Sequence, residues 1–316
     1  MSSPFAPLIG QPQAIELLTR AVTHDRVAPA YLFAGAPGVG RGLAARCFAE
    51  LLLAPRTSHS SPHVLRQRIQ QGNHPDFLWV EPTYTHQGKR ISASEAIELG
   101  LKRRSPPEIR LEQIREIGRF LSRPPLEAVR AVVVLDQAET MAEAAANGLL
   151  KTLEEPGRAT LILIAPSPES LLPTLVSRCQ RIPFQRLSQE AIAQVLTQAG
   201  YSEILQHPDI LKMAQGSPGE AIVHWQQLQA ISPDLLESVS QIPTSLRQGL
   251  ELARQISQDL DTEAQFWLID YLQHYYWQTH YQPGALEHLE NARRYLLQFV
   301  QPRLVWEVTL GKIREG

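Results

Sequence analysis

The sequence predicts an α/β domain built on a parallel sheet, followed by two all-helical domains, and three observations carry that prediction. Short apolar runs alternate with helical periodicity as far as Phe184. Beyond Phe184 the strand signal disappears and the apolar spacing is helical to the end. The length of 316 residues, at roughly 150 residues per domain, allows two domains, or three where some are small. The expected boundaries are 1–185 for the α/β domain, 186–224 for a small helical domain and 225–316 for a larger helical one.

The strand runs are Ala30-Tyr-Leu-Phe-Ala34, Phe77-Leu-Trp-Val80, Ala131-Val-Val-Val-Leu135 and Thr160-Leu-Ile-Leu-Ile-Ala165. Each is short, partly β-branched or aromatic, and bounded by Gly, Pro, Asp or charge. Between them lie stretches such as Leu111-x-x-Ile114-x-x-Ile117-x-x-Phe120-Leu121, with the spacing of a helix face. Strands alternating with helices imply a parallel sheet covered on both faces. In the second half, Ser188-Gln-Glu-Ala191 reads as a capped helix start leading to Gly200. Gly216-Ser-Pro-Gly219 is a strong stop signal, and the later helical pattern is broken at Pro233, Pro243, Pro283 and Pro302. There are no internal repeats.

Composition excludes several classes. A hydrophobic content of 43% is enough to bury real cores, and a net charge of −2 excludes a polycationic nucleic-acid coat. Two distant cysteines, Cys47 and Cys179, exclude a disulfide framework and a cysteine-rich zinc site within the chain. No apolar run approaches the ~18–20 residues that cross a bilayer, and the start lacks a basic region followed by an apolar core. A soluble, cytoplasmic protein with no membrane partner is expected. One stretch is locally basic: Pro82 to Arg130 holds ten Lys/Arg, among them Lys102, Arg103 and Arg104, against six Glu. It reads either as a solvated loop leading to a helix whose Glu112 and Glu116 face Arg115 and Arg119, or as a phosphate-contacting surface.

The chemistry is concentrated in two motifs. Gly35-Ala-Pro-Gly38-Val-Gly40-Arg41-Gly42 follows a strand and opens a helix, the context in which glycine N–H groups and a helix end cradle phosphate. The last two positions of such a loop need Lys for the β/γ-phosphates and Ser/Thr for Mg²⁺. Arg41 keeps the charge on a longer, planar group, and Gly42 cannot ligate a metal. The run Val132-Val-Val-Leu135 ends in Asp136, as a metal-facing acidic strand would, but Gln137 stands where a base would orient water and cannot accept a proton. Glu139 does not replace it. Two independent losses, metal ligand and base, point to a nucleotide site that no longer hydrolyses ATP.

Further motifs carry a family resemblance. Ala146-Asn147-Gly-Leu-Leu150-Lys151-Thr152-Leu153-Glu154-Glu155-Pro156 is similar to the segment after the acidic strand in AAA+ subunits of the bacterial DNA polymerase III clamp loader. Leu171-Leu-Pro-Thr174-Leu-Val-Ser177-Arg178-Cys179 resembles the Ser-Arg-Cys motif of those subunits. Gly10-Gln11 with Ala14-Ile-Glu-Leu-Leu18, His74-Pro75-Asp76 and Pro107-Glu-Ile-Arg-Leu-Glu-Gln-Ile114-Arg115 also fit. Gly216-Ser-Pro-Gly219 resembles the lid of the delta-prime family, where the ATPase subunits usually carry an arginine. The resemblance covers about residues 5–225; the remainder fits only by length and helicity.

It implies an AAA+ domain, a helical lid and a C-terminal collar for oligomerisation. It also implies a non-hydrolysing stator whose partners are the gamma/tau ATPase and delta subunits, the sliding clamp, and primer–template DNA held through phosphates. Arg178 would be a finger supplied in trans to a neighbour's ATP and Mg²⁺, with Ser177 and Cys179 setting its position. The alternative for Arg178 is pairing with a nearby carboxylate. Polymerase activity would reside on another chain, and this chain would require no cofactor of its own. Many relatives bind zinc through four cysteines before His-Pro-Asp. Leu53 to Asn73 has none, and His59 and His63 alone cannot build a tetrahedral site, so no zinc is expected. Weak nucleotide binding without turnover stays open. Two other readings are an ATP-hydrolysing motor subunit of the same loader and an AAA+ DNA-binding scaffold outside replication. Seven aromatics from Phe266 to Tyr281 (Phe266, Trp267, Tyr271, Tyr275, Tyr276, Trp277 and Tyr281) read as core or as a collar interface.

Overall fold

The computed structural model describes residues 3–54, 62–92, 95–96, 106–279 and 283–315. The chain falls into two compact units, Met1–Val195 and Leu196–Gly316. Among the described residues no helix is long and apolar enough to cross a membrane. Lys102, Arg103, Arg104, His59 and Tyr281 lie outside the described residues.

In the first unit, α1 (Pro12–Thr23) precedes β1 (Ala30–Ala34), α2 (Arg41–Leu53) and α3 (Pro62–Gln70). Then come β2 (Phe77–Val80), β3 (Tyr84–His86), β4 (Lys89–Ile91) and α4 (Leu111–Leu121). The unit continues with β5 (Ala131–Leu135), α5 (Glu143–Glu154), β6 (Ala159–Ala165), the single-turn α6 (Pro173–Val176) and β7 (Gln180–Pro183). Five strands form one sheet in the order β2-β5-β6-β1-β7. All its pairings are parallel, with Ala30 opposite Leu161, Phe77 opposite Val132 and Tyr31 opposite Gln180.

The alternation of side chains along β1 shows how the sheet is covered on both faces. Ala30 and Leu32 join Val133, Leu161 and Leu163 in a core closed by Ile114, Ile117, Leu149 and Leu153. Tyr31 and Phe33 point the other way. There Tyr31 meets Phe48 edge-on at 5.1 Å between ring centres, and Phe33 meets Phe184 at 5.3 Å.

The basic stretch after Pro82 is not a plain loop. β3 and β4 form an antiparallel hairpin whose turn residues, Gln87 and Gly88, both have positive φ (49° and 76°). That pair of left-handed residues matches the twist of a two-residue hairpin turn. Arg90 of β4 donates to Glu116 at 3.0 Å, while Arg119 stands 3.9 Å from the same carboxylate. Glu116 therefore faces across to the hairpin more closely than along its own helix.

α3 lies against α2. Arg66 makes two bonds to the buried Glu50, at 2.9 and 3.2 Å, and Leu65 and Ile69 are buried beneath. The His-Pro-Asp run also has a structural role. The Asp76 carboxylate accepts the N–H groups of Leu126, Glu127 and Ala128 at 2.7, 2.8 and 2.7 Å, pinning the loop before β5. His74 Nδ1 accepts the Asp76 N–H at 3.1 Å.

α7 (Gln189–Gln198) begins with the Ser188 hydroxyl accepting the Ala191 N–H at 3.3 Å, as a capped start requires. The second unit contains α8 (Pro208–Ala214), α9 (Pro218–Ala230), α10 (Pro233–Ser240) and α11 (Leu246–Asp259). α12 (Thr262–Thr279), α13 (Pro283–Leu297) and α14 (Pro302–Glu315) complete it. Gly216-Ser-Pro-Gly219 both ends one helix and starts another: Gly216 has φ 89°, and the buried Ser217 caps α9 by accepting the Glu220 N–H at 3.2 Å. Three of the four breaking prolines, Pro233, Pro283 and Pro302, open helices, where a missing N–H costs nothing.

The aromatics of α12 divide by depth. Trp267 and Tyr276 are core, bonded to His224 Nδ1 at 3.0 Å and to the Val239 carbonyl at 2.7 Å. Tyr271 and Tyr275 are half-buried and stack in series on Trp267, at 5.3 and then 6.0 Å. Trp277 is exposed.

The Asp76 pin generates a stability prediction. Burial pushes its carboxyl up, but the three N–H donors outweigh that, and it sits below the ordinary carboxylate value. A depressed folded value stabilises the fold above the unfolded value near 4, and the benefit is lost as pH falls through the folded one. Asp76→Ala should cost roughly 2–4 kcal/mol at neutral pH, measured by urea unfolding. Its gap from wild type should narrow on acidification below the carboxylate range.

Candidate functional site

The glycine loop runs from the carboxyl end of β1 into α2, and packing alone accounts for two of its glycines. A side chain on Gly35 would stand 2.4 Å from the Phe184 carbonyl oxygen. Gly40 has φ 101°, and a side chain there would stand 2.9 Å from Leu8. The buried Gln11 clamps the loop: its amide donates to the Val39 carbonyl at 3.2 Å and to the Gln185 carbonyl at 2.7 Å, and it accepts the Gln185 N–H at 3.1 Å.

Gly38 has φ 71°, and α2 starts at Arg41 with Gly40 as its cap. Arg41 is only 9% exposed, and its Nη1 has no hydrogen-bond partner among the described residues. Oε2 of Glu139 is in the same condition. Burial pulls the Arg41 guanidinium below its ordinary value, opposed by the charges of Glu139 and Asp136. Burial likewise raises the carboxyls of Asp136 and Glu139, opposed at both by Arg41. A second guanidinium, Arg46, lies 4.0 Å over the Trp79 ring and donates to the Ile69 carbonyl at 3.3 Å. Its charge acts on Asp136 as well.

Trp79 stands beside Gly42: a Cβ there would make an ordinary contact, 3.7 Å, with one edge carbon of the indole, and glycine offers no hydroxyl to a metal. Gln137 is left-handed, with φ 50°, donating its N–H to Asp136 Oδ1 at 3.0 Å and accepting the Thr140 hydroxyl at 2.7 Å through its carbonyl. Arg41, Gly42, Asp136 and Gln137 are thus gathered at the carboxyl ends of β1 and β5. The donor set does not fit a hydrolysing metal–nucleotide centre: it lacks the hydroxyl and the base, and its one strand-end carboxylate faces two guanidiniums. No group of three or more His, Cys, Asp or Glu among the described residues could hold a metal ion.

Arg178 stands elsewhere. It precedes β7, whose Gln180 pairs with Tyr31 at the amino end of β1. Parallel strands therefore put it at the amino ends of the strands, the opposite end from Gly35–Gly42. Its side chain is 37% exposed and makes an ion pair with Glu154, Nη2 to Oε1 at 2.7 Å. Nη1 donates to the Thr174 carbonyl at 2.9 Å and reaches Ser177 Oγ at 3.5 Å. The carboxylate partner exists, but at the surface. Burial pushes the Cys179 thiol up to about 11, which leaves it an unreactive neighbour.

The family described as DNA polymerase III, delta subunit, matches residues 10–188, and that described as cyanobacterial DNA polymerase III delta prime, C-terminal domain, matches 190–313. This chain belongs to the DNA polymerase III delta-prime family. The delta-prime subunit of Bacillus subtilis is 33% identical over 195 residues, 61% of this chain and 53% of that protein. The delta-prime subunit of Pseudomonas aeruginosa is 31% identical over 224 residues, 68% of this chain and 61% of that one. The match thus spans little more than half of these relatives. A Thermotoga maritima crystal structure of a DNA polymerase III, gamma subunit-related protein superposes with a TM-score of 0.56 at 18% identity, covering 96% of this chain and 99% of that one. That likeness supports the fold: a parallel-sheet α/β domain with a helical C-terminal region.

Three participants in this delta-prime chain escape sequence reasoning. Glu154 and Gln11 lie inside quoted motifs, yet no spacing rule pairs Glu154 with Arg178 or Gln11 with Gln185. Trp79 reads as an ordinary strand aromatic.

The opposed charges predict a pH dependence. Asp136 and Glu139 are raised in the folded state, so their penalty applies above the raised values and vanishes as pH falls below the ordinary carboxylate range. Arg41 offsets that penalty. Arg41→Met should therefore lower the thermal midpoint most at neutral and alkaline pH, with the gap closing on acidification.

Proposed function

We propose that this chain is a non-hydrolysing subunit of the DNA polymerase III clamp loader, which loads a sliding clamp onto primed DNA, and that it lends Arg178 to a neighbouring subunit's ATP site. The observation that carries this reading is the separation of two features. The chain's own glycine loop lacks hydroxyl and base, while an exposed arginine sits at the opposite end of the parallel strands, beyond reach of that loop.

A fixed planar charge stabilises negative charge growing on a transferred phosphoryl group and needs no chemistry from its own chain. Ser177 bounds the guanidinium on one side. ATP and Mg²⁺ belong to the neighbour, a gamma/tau subunit; delta, the clamp and primer–template DNA are the other partners. The exposed Arg115 and Arg119 stand one turn apart on α4, about 6 Å along the axis, with the exposed Arg123 just past the helix end, and they supply cations for phosphate contact. The work is cytoplasmic, and polymerisation belongs to another chain. Gly42 and Gln137 argue against a motor subunit; membership of the delta-prime family argues against a scaffold outside replication.

The test is DNA-stimulated ATP turnover of the reconstituted loader. The isolated chain should show none. Arg178→Ala should leave the complex assembled while lowering turnover at the site it serves, by up to the order of 10³ where that step limits. Arg178→Lys should not restore it, because an ammonium lacks the planar fork. ATP hydrolysis by the isolated chain, or full turnover with Arg178→Ala, would sink the proposal.

A further inference from the structure

Glu154 sits where electrostatics disfavours a carboxylate. It is the last residue of α5, and a helix carboxyl end carries partial negative charge that favours cations such as Lys151, one turn back. What answers that charge is Arg178. The guanidinium is held on two sides: Nη2 on Glu154 at 2.7 Å, and Nη1 on the Thr174 carbonyl at 2.9 Å. The Thr174 carbonyl belongs to the single-turn α6 directly before Arg178, so one contact is local and the other crosses 24 positions of sequence. Glu155, the next carboxylate, makes no ion pair among the described residues.

We propose that Glu154 is a positioning residue for Arg178, holding the guanidinium in one attitude on the surface and yielding it when a neighbour's more highly charged phosphates arrive. The inference rests on the reading of Arg178 as a finger supplied in trans. Two physical facts support it. A free arginine side chain explores many rotamers, and ordering it before docking removes part of that cost from the encounter. The pair is also solvent-exposed on both sides, 37% for Arg178 and 54% for Glu154. Exposed pairs are weak and screened, so this one can be exchanged for a multiply charged partner, whereas a buried pair would resist release.

The experiment compares loaders reconstituted with wild-type chain, Glu154→Gln, Glu154→Asp, Glu155→Gln and Arg178→Ala, each checked for assembly by size exclusion. Glu154→Gln should lower kcat for DNA-stimulated ATP turnover by about two- to fivefold, the factor an exposed ion pair can supply, with KM for ATP little changed. Glu154→Asp, which keeps the charge, should recover much of the loss, and Glu155→Gln should behave as wild type. Wild-type turnover with Glu154→Gln, alongside a defect with Arg178→Ala, overturns the positioning role and leaves the finger standing. A loss with Glu154→Gln explained by less assembled complex, or matched by Glu155→Gln, overturns it too. Wild-type turnover with Arg178→Ala removes the reading on which it rests.

Discussion

Strand direction is the constraint on which the first unit depends. With five strands running the same way, strand-to-helix turns open at the carboxyl ends of the strands and helix-to-strand returns close at the amino ends. The glycine loop and Asp136 follow β1 and β5 and therefore lie at the carboxyl end. Arg178 and Glu154 precede β7 and β6 and therefore lie at the amino end. Strand direction brings each set to one end, and the long side chains close the remaining distance, as Arg178 does to Glu154 at 2.7 Å.

At the carboxyl ends the buried charges are opposed from within the chain. Asp136 and Glu139 are buried carboxylates, and burial alone would push both toward neutrality. Two arginines on α2, Arg41 and Arg46, supply opposing charge, one of them stacked on Trp79. The settlement is incomplete at the atomic level, since Arg41 Nη1 and Glu139 Oε2 lack hydrogen-bond partners among the described residues. Positive charge reaches Asp136 from the guanidiniums of Arg41 and Arg46.

How much of this is legible in the sequence depends on how local the cause is. β1 and β5 coincide with their apolar runs, because a strand buried on both faces must be apolar along its length, and β2 coincides with its run as an edge strand with Leu78 and Trp79 half-buried. β7 has no such run: it is an edge strand in which Ile182 is buried and Gln180 and Arg181 are exposed, so pairing with β1 defines it. The β3–β4 hairpin is signalled by Gln87-Gly88, a weaker cue than Asn-Gly or Asp-Gly, and its strands are only three residues long. The site residues found by motif are the ones whose chemistry is read along the chain, namely Gly35 to Gly42, Asp136 and Gln137. Glu154 and Gln11 act across 24 and 174 positions of sequence, and only the folded chain shows those partners.

Persistence of a glycine loop without its chemistry then has a physical explanation. Gly35 is confined by the Phe184 carbonyl, so any side chain there would push β7 from β1 whether or not phosphate ever occupied the turn. Gly40 holds a left-handed turn against Leu8, and Gln11 clamps the Val39 carbonyl to the chain beyond β7. These demands come from closing the sheet edge and seating α2. Loop shape and loop charge are therefore under separate constraints: packing fixes Gly35 and Gly40, whereas Arg41 answers the charges of Asp136 and Glu139.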